Sequence, residues 1–143
     1  DPLAVEARSA LHWCVTAGRI RDGLRVSVAL DEWWRERGLA REGRLWLYRL
    51  LERLSTSGEE IPEEELAAAY HSYARHAGAD GERGEQLRLL VQAEEAAWRT
   101  GNAALIARVS AYPSTPFARN ATARPSDATE SASAFSETNV NSR

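Results

Sequence analysis

The sequence predicts an all-α fold, an α-α superhelix of about five to six antiparallel helices, and three observations carry that expectation. Apolar residues recur three and four positions apart in every segment from Leu3 to Val109, the spacing that aligns side chains on one helix face. No segment shows the alternation of a half-buried strand. Glycine stops recur at positions 18, 38, 78 and 101, separated by 20, 40 and 23 residues, a loose period within the range of stacked helix pairs.

The first helix is expected over Leu3 to Ala17, with Leu3, Ala7, Ala10, Leu11 and Cys14 on one face. Pro2 suits its first turn and Gly18 its C-terminal cap. The second runs from about Arg21 to Arg37, where Leu24, Val26, Val28, Leu30, Trp33 and Trp34 cover well over half of the circumference. A helix so apolar all round needs neighbours on two sides. A third, about Leu39 to Leu54, carries the stripe Leu39, Trp46, Leu47, Leu50, Leu51 and Leu54, with Gly43 on the same face where a neighbouring backbone could approach. Ser55-Thr56-Ser57-Gly58 is expected to end it.

Pro62 followed by Glu63, Glu64 and Glu65 reads as a helix start, because proline is tolerated at the first position and carboxylates complement the positive end of the dipole. The fourth helix is expected to reach Ala77, facing Leu66, Ala69, Tyr70, Tyr73 and Ala77 inward, with Gly78 as its stop. After an Asp80-Gly81 turn, a fifth helix over about Glu82 to Thr100 presents Leu87, Leu90, Val91, Ala97 and Trp98, and a short sixth spans Ala103 to about Val109. Connections of a few residues leave no room for crossovers, so consecutive helices form antiparallel hairpins.

Composition divides the 143 residues near Tyr112. Residues 1–111 are rich in Ala, Leu, Arg and Glu and are expected to form one helical repeat domain. Residues 112–143 are rich in Ser, Thr, Ala, Asn and Pro, with only Phe117, Phe135 and Val140 as sizeable apolar side chains, and are expected to be a disordered tail. No run approaches the roughly 18 to 20 apolar residues that span a bilayer, and no signal peptide opens the chain. With Cys14 as the one cysteine, no intramolecular disulfide can form, and a cytoplasmic setting is expected. The chain lacks methionine and opens with Asp1, which reads as a piece of a longer chain.

Net charge is −3, with 15 Arg against 18 acids in residues 1–111 and 3 against 3 beyond. That balance lacks the clustered basic face of a nucleic-acid binder. All 18 basic residues are arginine, the codon bias of a GC-rich genome, which weakens any inference from arginine alone.

Little in the chain has the pattern of chemistry. His71 and His76 are five apart and fall on different helix faces, and His12 and Cys14 diverge likewise, so none forms the i, i+4 pair of a helical metal site. Cys14 reads as a small core residue. No phosphate-binding loop is present, and no cofactor is expected in this segment. Glu59, Glu60, Glu63, Glu64 and Glu65 are better explained as dipole complement and solvated face than as a cation site. Arg35, Arg37, Arg41 and Arg44 are interleaved with Glu32, Glu36 and Glu42, which favours an ion-paired surface over phosphate contact. Trp33, Trp34 and Trp46 read as fillers of a helix-helix seam ahead of partner-binding anchors.

The stretch from Trp33-Trp34-Arg35-Glu36-Arg37-Gly38 through Glu42-Gly43-Arg44-Leu45-Trp46-Leu47 to Leu51 resembles large bacterial ATP-binding transcriptional regulators of the LuxR type. Their relatives carry an NB-ARC-like ATPase and tetratricopeptide-like (TPR-like) helical repeats. Glu6 to Trp13, ending at Ala17-Gly18, is similar to the helix that precedes this joint in those proteins, and the likeness covers roughly residues 3–110. The consensus Trp-Leu-Gly-Tyr spacing of the tetratricopeptide repeat is not met, hence TPR-like.

The resemblance implies a non-catalytic regulatory segment that binds a protein partner, another domain of its own chain or a small-molecule inducer, and thereby biases an ATP-dependent switch. Two alternatives come from other classes: a stand-alone adaptor scaffold, and a small helical metal protein using His71, His76 and nearby carboxylates. Alone, the segment is expected to be marginally stable, with Leu90, Trp98 and the sixth helix leaving apolar surface uncovered.

Overall fold

Asp1 begins the first helix, its carboxylate accepting the Leu3 backbone N–H at 3.1 Å, and from there to Ala111 the chain is helical with short connections. The structure, a computed structural model, describes residues 1–111; the expected tail at 112–143 lies outside the described residues. Seven helices follow in order: α1 Pro2–Thr16, α2 Ile20–Ala29, α3 Asp31–Glu36, α4 Ala40–Ser57, α5 Glu63–Ala79, α6 Arg83–Thr100 and α7 Ala103–Ser110. No strand occurs among the described residues.

The helices outnumber the expected five to six because the second expected helix is two, α2 and α3, separated at Leu30 (φ −89°, ψ 1°). Leu30 N–H still bonds the Val26 carbonyl, and Trp34 N–H bonds the Leu30 carbonyl, both at 3.0 Å. The break is therefore a local unwinding that the hydrogen-bond ladder bridges. It sits directly before Asp31, whose side chain is drawn into the interior against α5. As expected of its apolar girth, α2 has several neighbours, packing on α1, α4 and α5.

Two other boundaries moved for chemical reasons. The hydroxyls of Ser55, Thr56 and Ser57 donate to the carbonyls of Glu52, Arg53 and Leu54, so the expected linker continues α4 until left-handed Gly58 (φ 67°). Such back-bonding lets a hydroxyl occupy a carbonyl near a helix end. Gly78 does not stop α5, which continues to Ala79; Gly81 makes the turn (φ 81°). A Cβ at Gly78 would collide with the side-chain amide of Gln86, so glycine there serves the close approach of α6.

Packing reaches up to three helices along the chain: α1 lies on α2 and α4, α4 on α5, and α5 on α2, α3, α6 and α7, with α5 and α6 the most extensive pair. Helix α5 is enclosed because it is small: Ala67, Ala69, Ala74 and Ala77 are buried on more than one of its sides. On α1 the inward stripe is Ala7, Leu11 and Cys14, while Leu3 is exposed. Gly23 on α2 packs against Cys14 and Leu50, leaving no room for a Cβ.

Contrary to the expected uncovered end, Leu90 is buried, and Leu105 and Val109 of α7 close over Ala67, Ala93, Ala96 and Ala97. Asn102 makes this possible by capping α7, accepting the backbone N–H groups of Ala104 and Leu105. Trp98 alone of those expectations stays exposed.

One buried group on α6 is uncompensated. Glu94 is 2% exposed, and neither carboxylate oxygen has a hydrogen-bond partner among the described residues. Burial pushes its carboxyl above the ordinary glutamate value, so its contribution to stability is greatest in acid and is lost as pH rises through the raised value. Glu94→Leu should raise the unfolding free energy at pH 7 by about 1–3 kcal/mol, with the gain shrinking toward pH 4. Urea unfolding at the two pH values checks both the sign and the trend.

Candidate functional site

The densest polar chemistry in the molecule lies where α3, α4 and α5 meet. Ser72, Arg75 and His76 are spaced three and four apart from Ser72 along α5, which brings them to one face. That face meets Asp31, the first residue of α3. The Ser72 hydroxyl donates to Asp31 Oδ1, His76 Nε2 lies 3.2 Å from the same oxygen, and Arg75 Nη1 lies 3.2 Å from Oδ2. One turn along α3, Arg35 Nε stands 3.6 Å from Oδ2.

His76 is fully buried. Its ring meets Trp34 edge-on, with centroids 5.8 Å apart and planes at 76°. Both rings press on α4 at Gly43, where a Cβ would stand 2.8 Å from Trp34 Cε3 and 2.9 Å from His76 Nε2. Gly43 thus admits two side chains, where the sequence pointed to a neighbouring backbone. Burial alone would raise the Asp31 carboxyl. The His76 and Ser72 contacts outweigh it, with the His76 and Arg75 charges adding, and hold the group at about 2.

Beside this cluster a cleft of about 430 Å³ opens between the α2–α3 junction, α5 and α7. Asp31, Glu32, His71, Arg75 and Arg108 supply its charged lining, and Val28, Leu105 and Val109 are among its apolar walls. His71 and His76 therefore diverge as their spacing implied: the first faces the cleft, the second the interior. Burial lowers the proton affinity of His71, as does the Arg75 charge; Asp31 opposes this and Arg108 adds to it.

Other residues weighed in the sequence take structural places. Cys14 is buried, and burial raises its thiol, with Asp22 contributing. His12 is exposed. The acidic run does more than complement its own helix: Glu59 accepts the backbone N–H of Ile20 at 3.0 Å, capping α2 from a distance, and Glu65 pairs with Arg21 and Arg25. Three of the four arginines are ion-paired, two of them across helices and away from the expected acids: Arg44 holds Asp80 and Glu85, Arg37 holds Asp1, and Arg35 holds Glu32. Arg41, by contrast, is exposed, and Glu42 pairs with Arg8. Trp34 and Trp46 are buried in the seam, and Trp33 lies half-buried beneath Arg37, whose guanidinium carbon is 4.6 Å from the ring centroid.

Among the described residues no group of three His, Cys, Asp or Glu side chains is placed to hold a metal ion, and no helix is long and apolar enough to cross a membrane. No protein-family model, curated protein or solved structure matches the chain.

The sequence reading passed over Asp31, although a clue was present. Leu24, Ser27, Asp31 and Trp34 follow one another at helical spacing and all four are buried, so an acid stood on an inward stripe and required a cation. Because the folded carboxyl sits at about 2 against an ordinary 3.8, its stabilisation is complete above the ordinary value and is lost as pH falls from about 4 to about 2. Over that interval wild type should lose about 2 kcal/mol more unfolding free energy than Asp31→Asn. At pH 7 the variant should be about 3 kcal/mol less stable. Denaturant melts across pH 7 to 2 measure both differences.

Proposed function

We propose that these helices are a TPR-like, non-catalytic binding segment of a bacterial transcriptional regulator. In this reading the segment holds a small-molecule inducer, a protein partner or another domain of its own chain, works in the cytoplasm without a cofactor, and touches neither nucleic acid nor membrane. The observation that carries it is a succession of short-linked helices in which α4, α5 and α6 pack in turn on one another, with a cleft left open beside α5. Stacked hairpins of this kind present long concave faces and bind without doing chemistry.

Trp34, within the stretch that resembles the LuxR-type regulators, supports the reading, because it joins α3 to α4 at Gly43 and to α5 at His76. Binding here would bias the ATP-dependent switch that the resemblance implies. A second reading, a stand-alone adaptor for a protein partner, is favoured by one observation. Helix α1 exposes Leu3, Val5 and Trp13, which are 46%, 63% and 55% accessible.

Reading the open reading frame on both sides of these residues tests the choice. The regulator reading expects an ATPase with a phosphate-binding loop and a helix-turn-helix encoded in the same frame. A frame that closes shortly on both sides without either overturns it in favour of the adaptor.

A further inference from the structure

The cleft between the α2–α3 junction, α5 and α7 is lined by two carboxylates, Asp31 and Glu32, and two guanidinium groups, Arg75 and Arg108, and their pairing is uneven. Asp31 is compensated: its oxygens are engaged by Ser72, His76, Arg75 and Arg35. Glu32 is engaged by Arg35 at 3.2 Å. Arg108, projecting from α7 at the cleft's edge, has no ion-pair partner among the described residues; Glu64 lies across a neighbouring hollow from it. Arg75 commits Nη1 to Asp31, and a guanidinium carries further N–H donors in a planar fork. Of these four charged groups Arg108 is thus the one without an ion-pair partner among the described residues, and Arg75 adds the guanidinium N–H groups that Asp31 leaves open.

Between them the walls are apolar. Val28, Ala68, Leu105 and Val109 line the hollow, and its volume of about 430 Å³ lies in the range that encloses a small organic molecule. A peptide segment would need an open groove along several turns of helix.

We propose that this cleft binds a small organic anion, a carboxylate or phosphate on a compact apolar body, with the anionic group held by Arg108 and Arg75 beside His71. The anion replaces water at two guanidinium groups, and the apolar body covers Val28, Leu105 and Val109. Ligand of this class would also bridge α7 and the α2–α3 junction, elements that each pack on α5. The depressed proton affinity of His71, due in part to the Arg75 and Arg108 charges, supplies a reporter, because an anion seated there raises it.

This inference rests on reading the helices as a ligand-binding repeat, whichever protein they belong to. The test is an NMR titration of the whole 143-residue chain with butanoate, hexanoate, hexyl phosphate and inorganic phosphate, following the His71 imidazole. Hexanoate should give saturable shifts, bind roughly 15-fold tighter than butanoate, at about fourfold per added methylene, and raise the His71 pKa. Hexyl phosphate binding tighter than hexanoate assigns the anion as a phosphate; the reverse assigns a carboxylate.

Arg108→Ala and Arg108→Gln, both at an exposed position, should each weaken binding at least tenfold, and the remote Arg53→Ala should leave it unchanged. The proposal is overturned by any of three results: no saturable shift with hexanoate or hexyl phosphate, unchanged affinity in both Arg108 variants, or inorganic phosphate binding as tightly as either amphiphile. Saturable binding without a flanking ATPase removes the regulator and keeps the site. A flanking ATPase and helix-turn-helix with no binding removes the site and keeps the regulator.

Discussion

A carboxylate that stays ionised out of water has to find its compensation inside the protein, and Asp31 meets that demand where Glu94 does not. A buried ion without partners costs several kcal/mol. Four side chains from two helices converge on it, Arg35 from α3 and Ser72, Arg75 and His76 from α5. Their convergence places the start of α3 against the middle of α5. Trp34, three residues further on, is thereby set edge-on to His76, and the pair of rings leaves room on α4 for glycine alone at position 43. The break at Leu30, the edge-on tryptophan and the glycine opposite it all gather around one desolvated charge.

The helices were legible because a buried stripe has to repeat at the helical period whatever it packs against. The stripe of α4 was found for that reason, and Pro62 and Gly101 marked real ends. On α6 only Leu90 and Ala97 of the expected stripe are buried, because the small residues Ala93 and Ala96, with Leu89, form the face that packs, while Trp98 points outward. What escaped was settled between segments far apart in the chain. Nothing near Leu30 announces a break, since its cause stands on α5, about 40 residues later. Gly78 looked like a stop and proved to be a seat for Gln86. The cleft was illegible for the same reason: Val28, His71 and Arg108 come from three separate helices, and no local pattern unites them. Asp31 was the exception, a polar residue on an inward stripe that could have been read.

Around this centre, ion pairs tie helix to helix at many points. Arg8 of α1 reaches Glu42 of α4, Arg21 of α2 reaches Glu65 of α5, and Arg99 of α6 reaches Glu63 of α5. Exposed pairs of this kind add little stability individually. Their value is orientational, since each is satisfied in one register and broken in its neighbours. The same holds for Glu59, which closes the open end of α2 although it belongs to the connection before α5. Within an arginine-rich surface that looks nonspecific by composition, these residues make a set of addressed contacts.

Cys14 is the chain's single thiol, sealed between α1 and α2 against Gly23, and burial favours its unreactive protonated form. An alkylating reagent can therefore reach it only when α1 lifts away, and the labelling rate becomes a clock for that one opening event. The native protein carries its own probe of how often its first helix detaches.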